Sequence, residues 1–136
     1  MNKNKIGFMQ GRLSNLVNNS IQAFPRDNWR EEFSIAKRID LSLMEWTLDY
    51  EHLYENPLMK EDGRKEINFL SKVSSILIPS ITGDCFMQRP FWKAKNEELN
   101  FLQKTFIDVI NAASKLNIKY LILPLVDNGS IKNKNQ

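Results

Sequence analysis

Four short apolar runs, separated by three stretches with helical spacing, constrain this chain more than any other feature of its sequence. Residues 6–9, 41–46, 75–82 and 120–126 are compact, apolar and of strand length. Between the first two, Asp27 is a good N-cap, and Trp29, Phe33 and Ala36 recur at helical spacing through Asp40. A second helical pattern runs from about Glu61 to Ser74, with Ile67, Leu70 and Val73 on one side; Gly63 lies near its start. The longest runs from about Asn96 to Leu116, where Leu99, Leu102, Phe106, Val109, Ile110 and Ala113 trace one stripe. The order is therefore βαβαβαβ. Parallel strands joined by right-handed helical crossovers make an α/β sheet, and one domain spanning residues 1–136 is the simplest organisation.

The connections after the strands hold most of the chemistry. Residues 13–25 are polar and Asn-rich, a loop. A second loop carries Asp49, His52, Asn56 and Pro57, and a third, residues 83–95, carries Asp84, Gln88, Arg89, Phe91 and Trp92. Pro79 and Pro124 each remove a ladder donor from a strand. After residue 126, Ser130 is placed to cap a helix whose first turns would be residues 131–136; a polar tail is the alternative.

Composition excludes more than it selects. Charged residues make up 26% of the chain and the formal charge is +3, with Lys and Arg scattered among Asp and Glu, so no basic stripe marks a nucleic-acid binder. The single cysteine, Cys85, rules out an intrachain disulfide and fits a reducing, cytoplasmic setting. No apolar run approaches the roughly 20 residues of a membrane span. The basic start, residues 1–5, is followed by a run too short for a signal peptide.

Several segments, in order, resemble the sugar phosphate isomerase/epimerase family with the xylose-isomerase-like barrel. They are Ile6-Gly7-Phe8-Met9-Gln10-Gly11-Arg12-Leu13, Phe24-Pro25, Trp29-Arg30-Glu31-Glu32-Phe33, Met44-Glu45-Trp46, Pro79-Ser80-Ile81-Thr82-Gly83-Asp84 and Leu123-Pro124-Leu125-Val126-Asp127-Asn128. The resemblance implies an α/β fold, a parallel βαβαβαβ arc forming the first four strands of a TIM-type (β/α)8 barrel. Such barrels run to roughly 250 residues, so the expectation is an N-terminal half, inactive alone.

Reacting groups in such a barrel project from the C-terminal ends of the strands. That rule makes Gln10 and Arg12, Glu45 and Trp46, Asp84 and Arg89, and Asp127 and Asn128 the candidate substrate-binding residues, with no residue assigned a catalytic role. Arg12 suits a phosphate or carboxylate clamp, or else a structural ion pair. Gln10 suits a sugar hydroxyl or the backbone at its strand end. Glu45 suits a substrate hydroxyl or a buried structural role, and Trp46 a sugar face or the core. Asp84 and Asp127 suit helix caps equally. Arg89, Trp92 and Lys93 form either a lid over an anion or an ordinary surface loop. His52, the single histidine, reads as a surface residue.

The resemblance further implies a sugar or sugar phosphate substrate and proton transfer beside a carbonyl. It also implies a divalent metal (Mn, Mg, Co or Zn) held by two Glu, an Asp and a His of the second half. None of those ligands can be placed in this sequence, so this chain is not expected to bind such a metal well. Four strands would leave two bare edges and an open inner face, to be closed by a second copy or by a separate C-terminal half. Two other readings stand beside this one. A small α/β binding module would need its own site, and no Gly-x-Gly-x-x-Gly or phosphate loop supplies one. An abasic-site endonuclease of the same superfamily would need a basic track and several metal-binding histidines.

Overall fold

A computed structural model describes residues 5–20 and 23–133. The basic start (residues 1–4), two residues of the Asn-rich loop (21 and 22) and the last three residues of the expected final helix (134–136) lie outside the described residues. The rest is α/β. Strands β1 (Gly7–Met9), β2 (Leu43–Thr47), β3 (Leu77–Thr82) and β4 (Tyr120–Ile122) form one sheet in the order β1-β2-β3-β4. Every neighbouring pair is parallel. The helices are α1 (Trp29–Arg38), α2 (Glu61–Ser74), the five-residue α3 (Asp84–Gln88) and α4 (Asn96–Ser114).

Strand order equal to chain order has a direct consequence. Right-handed crossovers that all step the same way put every helix on the same face, whereas a doubly wound sheet reverses direction part-way across. Side-chain alternation agrees. Met44, Trp46 and Ile81 are fully buried in one cluster with Trp29, Phe33 and Ala36 of α1, Ile67 of α2 and Val109 of α4. Their neighbours along the strands, Leu43, Glu45, Ser80, Tyr120 and Ile122, point to the other face. There Tyr120 is 65% exposed and Ile122 40%, because no helix covers them.

The core is aromatic where β2 meets α1. Trp29 and Trp46 meet edge to face at 5.6 Å between ring centroids, and Phe24 leans on Trp46 at 5.5 Å. Pro79 is accommodated by a shift in register: Leu43 pairs with Leu77 and Glu45 with Ser80, so β3 spends one extra residue around the proline. Beyond the ladder, the Pro79 carbonyl still accepts the Lys119 N–H at 3.0 Å.

Several expected boundaries and faces are corrected. Asn28, not Asp27, occupies the N-cap of α1, and its side chain caps nothing. On α2, Val73 is 51% exposed, and the buried positions are Ile67 and Ser74. On α4, Ile110 is 40% exposed while Thr105 and Ala112 are buried, so the stripe is rotated from its expected line. The fourth strand stops at Ile122, before Pro124. Residues 83–95 are not one loop; α3 and a 3-10 turn at Phe91–Lys93 lie within them. Ser130 follows a 3-10 turn (Asp127–Gly129), and residues 131–133 are not helical.

Candidate functional site

The C-terminal ends of β1, β2 and β3 are knotted together by polar groups. The Gln10 N–H donates to the Glu45 carbonyl at 2.9 Å, and the Gln10 side-chain oxygen accepts the Thr47 N–H at 3.2 Å. In return the Thr47 hydroxyl donates to the Gln10 carbonyl at 3.2 Å. Gln10 is thereby buried completely, and its Nε2 has no hydrogen-bond partner among the described residues. The Leu48 N–H donates to the Thr82 carbonyl and the Cys85 N–H to the Leu48 carbonyl, so β3 and the start of α3 are tied to the end of β2. Burial holds the Cys85 thiol well above its ordinary pKa, which makes it a packing group and not a nucleophile.

Glu45 stands half-buried on the open face of β2. Its Oε2 accepts the Ser80 hydroxyl at 2.8 Å and its Oε1 the Thr82 hydroxyl. Register explains the meeting: Glu45 pairs with Ser80, and Thr82 lies two residues on, on the same face. Two hydroxyl donors fix both carboxylate oxygens against the sheet.

Asp84 is the buried member of the group. It is only 1% exposed, and its Oδ2 has no partner among the described residues. Its pKa is pushed up to about 6, first by burial and then by the negative charges of Asp49 and Glu45, with Arg12 opposing them. Asp84 does not cap a helix: it is the first residue of α3, and Gly83 holds the N-cap position. Asp49 is oriented by the Phe24 N–H on Oδ2 (2.6 Å) and by Gln88 Nε2 on Oδ1 (3.1 Å).

The loop that carries Arg12 is fixed from below by Glu32 of α1. Glu32 is fully buried, and it accepts the Gly11 N–H (2.9 and 3.0 Å), the Leu13 N–H (3.0 Å) and the Ser14 hydroxyl (3.2 Å). Gly11 sits at φ +89, and a Cβ there would meet the Ala23 carbonyl at 2.8 Å, so the turn requires glycine. Arg12 is then exposed at the strand end, with a guanidinium N–H 3.8 Å from the Met9 sulfur.

The structure thus brings Gln10, Arg12, Glu45 and Asp84 to one end of the sheet. The other candidates are engaged in contacts of their own. Trp46 has no exposed surface; it faces the helices, and its indole N–H donates to Asn56 Oδ1 at 3.0 Å. Arg89 stacks over Tyr50, 4.8 Å from the ring centroid, and pairs with Glu98. Asn128 donates to the Gln88 carbonyl at 2.9 Å, and its own carbonyl accepts from Lys93. Asp127 is exposed at the start of the 3-10 turn, where Val126 holds the N-cap position, so its side chain caps nothing. His52 is an exposed residue paired with Glu55 at 2.8 Å. No family model matches the chain, and no curated protein matches it.

Three participants escaped the sequence reading. Ser80 and Thr82 were legible in principle, since period-two alternation sets both on the face of Glu45 once the strands are paired. Glu32 left no such signal, because its partners are loop amides some 20 residues away in the chain.

The donor set does not by itself fit a divalent cation. Among the described residues no three His, Cys, Asp or Glu side chains are grouped to hold one. Both oxygens of Glu45 and both of Asp49 already accept hydrogen bonds.

Proposed function

We propose that this chain supplies the first four βα units of a (β/α)8 barrel of the sugar phosphate isomerase/epimerase type, and that the cluster at its strand ends binds a sugar or sugar phosphate. The observation that carries this reading is Glu45, held by Ser80 and Thr82 beside the buried carboxyl of Asp84, at the end of the sheet where such barrels do their chemistry.

Each residue has a role that follows from its surroundings. Glu45 and the hydroxyls of Ser80 and Thr82 exchange hydrogen bonds with substrate hydroxyls. Arg12 offers a planar cation to a phosphate or carboxylate. Asp84, with a pKa of about 6, passes between its two protonation states near neutral pH, as a group that holds or moves a proton must. In relatives of this type a divalent metal polarises the carbonyl; the residues described here do not fit one, and no step is assigned to it. The outer edges of β1 and β4 have no neighbouring strand among the described residues. Completing strands pair there, and the assembled protein acts in the cytoplasm.

The test is to mix the chain with a panel of aldoses, ketoses and their phosphates in D2O, with and without Mn, Mg, Co or Zn. Proton NMR then follows epimerisation and loss of the exchangeable C–H. Saturable sugar phosphate binding that shifts the Ser80 and Thr82 amides, and weakens in Glu45→Gln, supports the reading. Binding without exchange is the outcome expected of four βα units that hold the substrate but lack the rest of the barrel, and exchange by the chain alone would show that these units suffice for proton transfer. No binding by any sugar overturns the reading and leaves the second one, an α/β binding module with another ligand.

A further inference from the structure

At the opposite end of the strands lies a groove that the strand-end cluster does not use. It has a volume of about 520 Å³ and runs between α2 and the α4–β4 connection, over the start of β3. That is within the range of small-molecule sites, about 300–1,000 Å³. Its lining is mainly apolar: Ile67 of α2, Leu77 and Ile78 of β3, Leu116 and Tyr120.

Its charge is one-sided. Lys72 and Lys119 line the groove, and no acidic residue does so among the described residues. The groove continues past Lys72, Leu116 and Asn117 into an open mouth that also carries Lys115. Lys115 lies close enough to Glu61, in the same mouth, to help lower its pKa, whereas Lys72 and Lys119 form no salt bridge among the described residues. By contrast, Lys65 in the same mouth is held by Glu61 at 2.9 Å and Arg64 by the Leu58 carbonyl at 2.8 Å. Leu77 is left 50% exposed on the floor. An apolar trough beside uncommitted ammonium groups matches a ligand with an alkyl body and an anionic head.

We propose that this groove binds a single-chain anionic amphiphile, a fatty carboxylate, with its alkyl chain along Ile67, Ile78 and Leu116 and its carboxylate between Lys72 and Lys119. The site is distinct from the strand-end cluster and does not depend on its assignment.

The probe is dodecanoate below its micellar concentration, titrated calorimetrically into the full chain beside dodecyltrimethylammonium at the same chain length. Amide shifts of the 15N-labelled chain locate the site. Saturable binding of one dodecanoate per chain is expected, with shifts at Asn68, Ser71, Leu77 and Lys119 and no saturable binding of the cation. The exposed pair Lys72→Glu and Lys119→Glu should weaken dodecanoate about tenfold or more with an unaltered far-UV circular dichroism spectrum. Equal binding of the two amphiphiles, shifts confined to Glu45, Ser80 and Thr82, or undiminished affinity in the doubly reversed chain overturns the proposal. So does self-association that buries the groove before ligand can enter, read as a sedimentation change that dodecanoate leaves untouched.

Discussion

Glu32 accepts the Gly11 N–H through both of its carboxylate oxygens, at 2.9 and 3.0 Å, from a position with no exposed surface. The first helix therefore sets the conformation of the turn that follows the first strand. Removing the carboxylate strands buried N–H donors of Gly11 and Leu13, each worth about 1–3 kcal/mol when left unmade. Glu32→Ala should lower unfolding stability by about 2–4 kcal/mol, and Glu32→Gln by less, since an acceptor remains. Urea unfolding followed by tryptophan fluorescence measures both. Equal stability of the two variants would contradict the bonding described.

Asp84 gives the protein a pH dependence of definite sign. Its pKa lies above the ordinary 3.8, at about 6, so the folded state holds the proton more tightly than the unfolded chain does. The contribution of Asp84 to stability is therefore full below about pH 4 and is lost as pH rises through about 6. The rise corresponds to roughly 3 kcal/mol. Glu32, whose pKa burial also raises, adds a slope of the same sign. Asp84→Asn should flatten the curve over that window and raise Tm at pH 7. The same dependence of Tm on pH in the parent and in Asp84→Asn from pH 4 to 6.5 would refute the assignment.

Trp46 is predicted to matter for folding and not for ligand contact. Trp46→Ala should cost about 3–5 kcal/mol through the cavity it leaves beside Trp29 and Phe24. Trp46→Phe should cost less, losing the bond to Asn56 and part of the ring volume. Sugar binding by the folded Phe variant should match the parent; a selective loss of affinity without a change in stability would move Trp46 into the site.

Arg89 offers the opposite contrast. It is exposed, and its partners Glu98 and Tyr50 are also near the surface. Pairs of that kind contribute little to stability. Arg89→Ala should leave Tm essentially unaltered and sugar phosphate affinity unchanged. A large drop in affinity alone would give the α3 segment the lid role considered from the sequence.

Much of the architecture is legible in the sequence. Four strands, their parallel relation and the three long helices follow from local periodicity, because a residue's place on a helix or strand face is set by its immediate neighbours. Even the separation of Glu45 from Trp46 was within reach, since adjacent residues in a strand point to opposite faces. The sequence leaves Trp46 open between the mouth and the core, and the structure gives the core.

Local pattern failed where packing chooses among nearly equal faces. Ile110 of α4 and Val73 of α2 are apolar at plausible spacing, yet both are exposed, while Thr105 and Ala112 of α4 are buried.

The sequence alone thus determined the order and direction of the elements and the residue types available at their ends. Tertiary structure decided which of those residues meet. Glu45 reaches Ser80 and Thr82 only because β3 shifts register at Pro79, and Asp84 acquires its proton affinity only from burial beside Asp49 and Glu45. Such contacts join segments about 20 to 40 residues apart, often through backbone amides common to every residue type, so no local pattern of side chains records them.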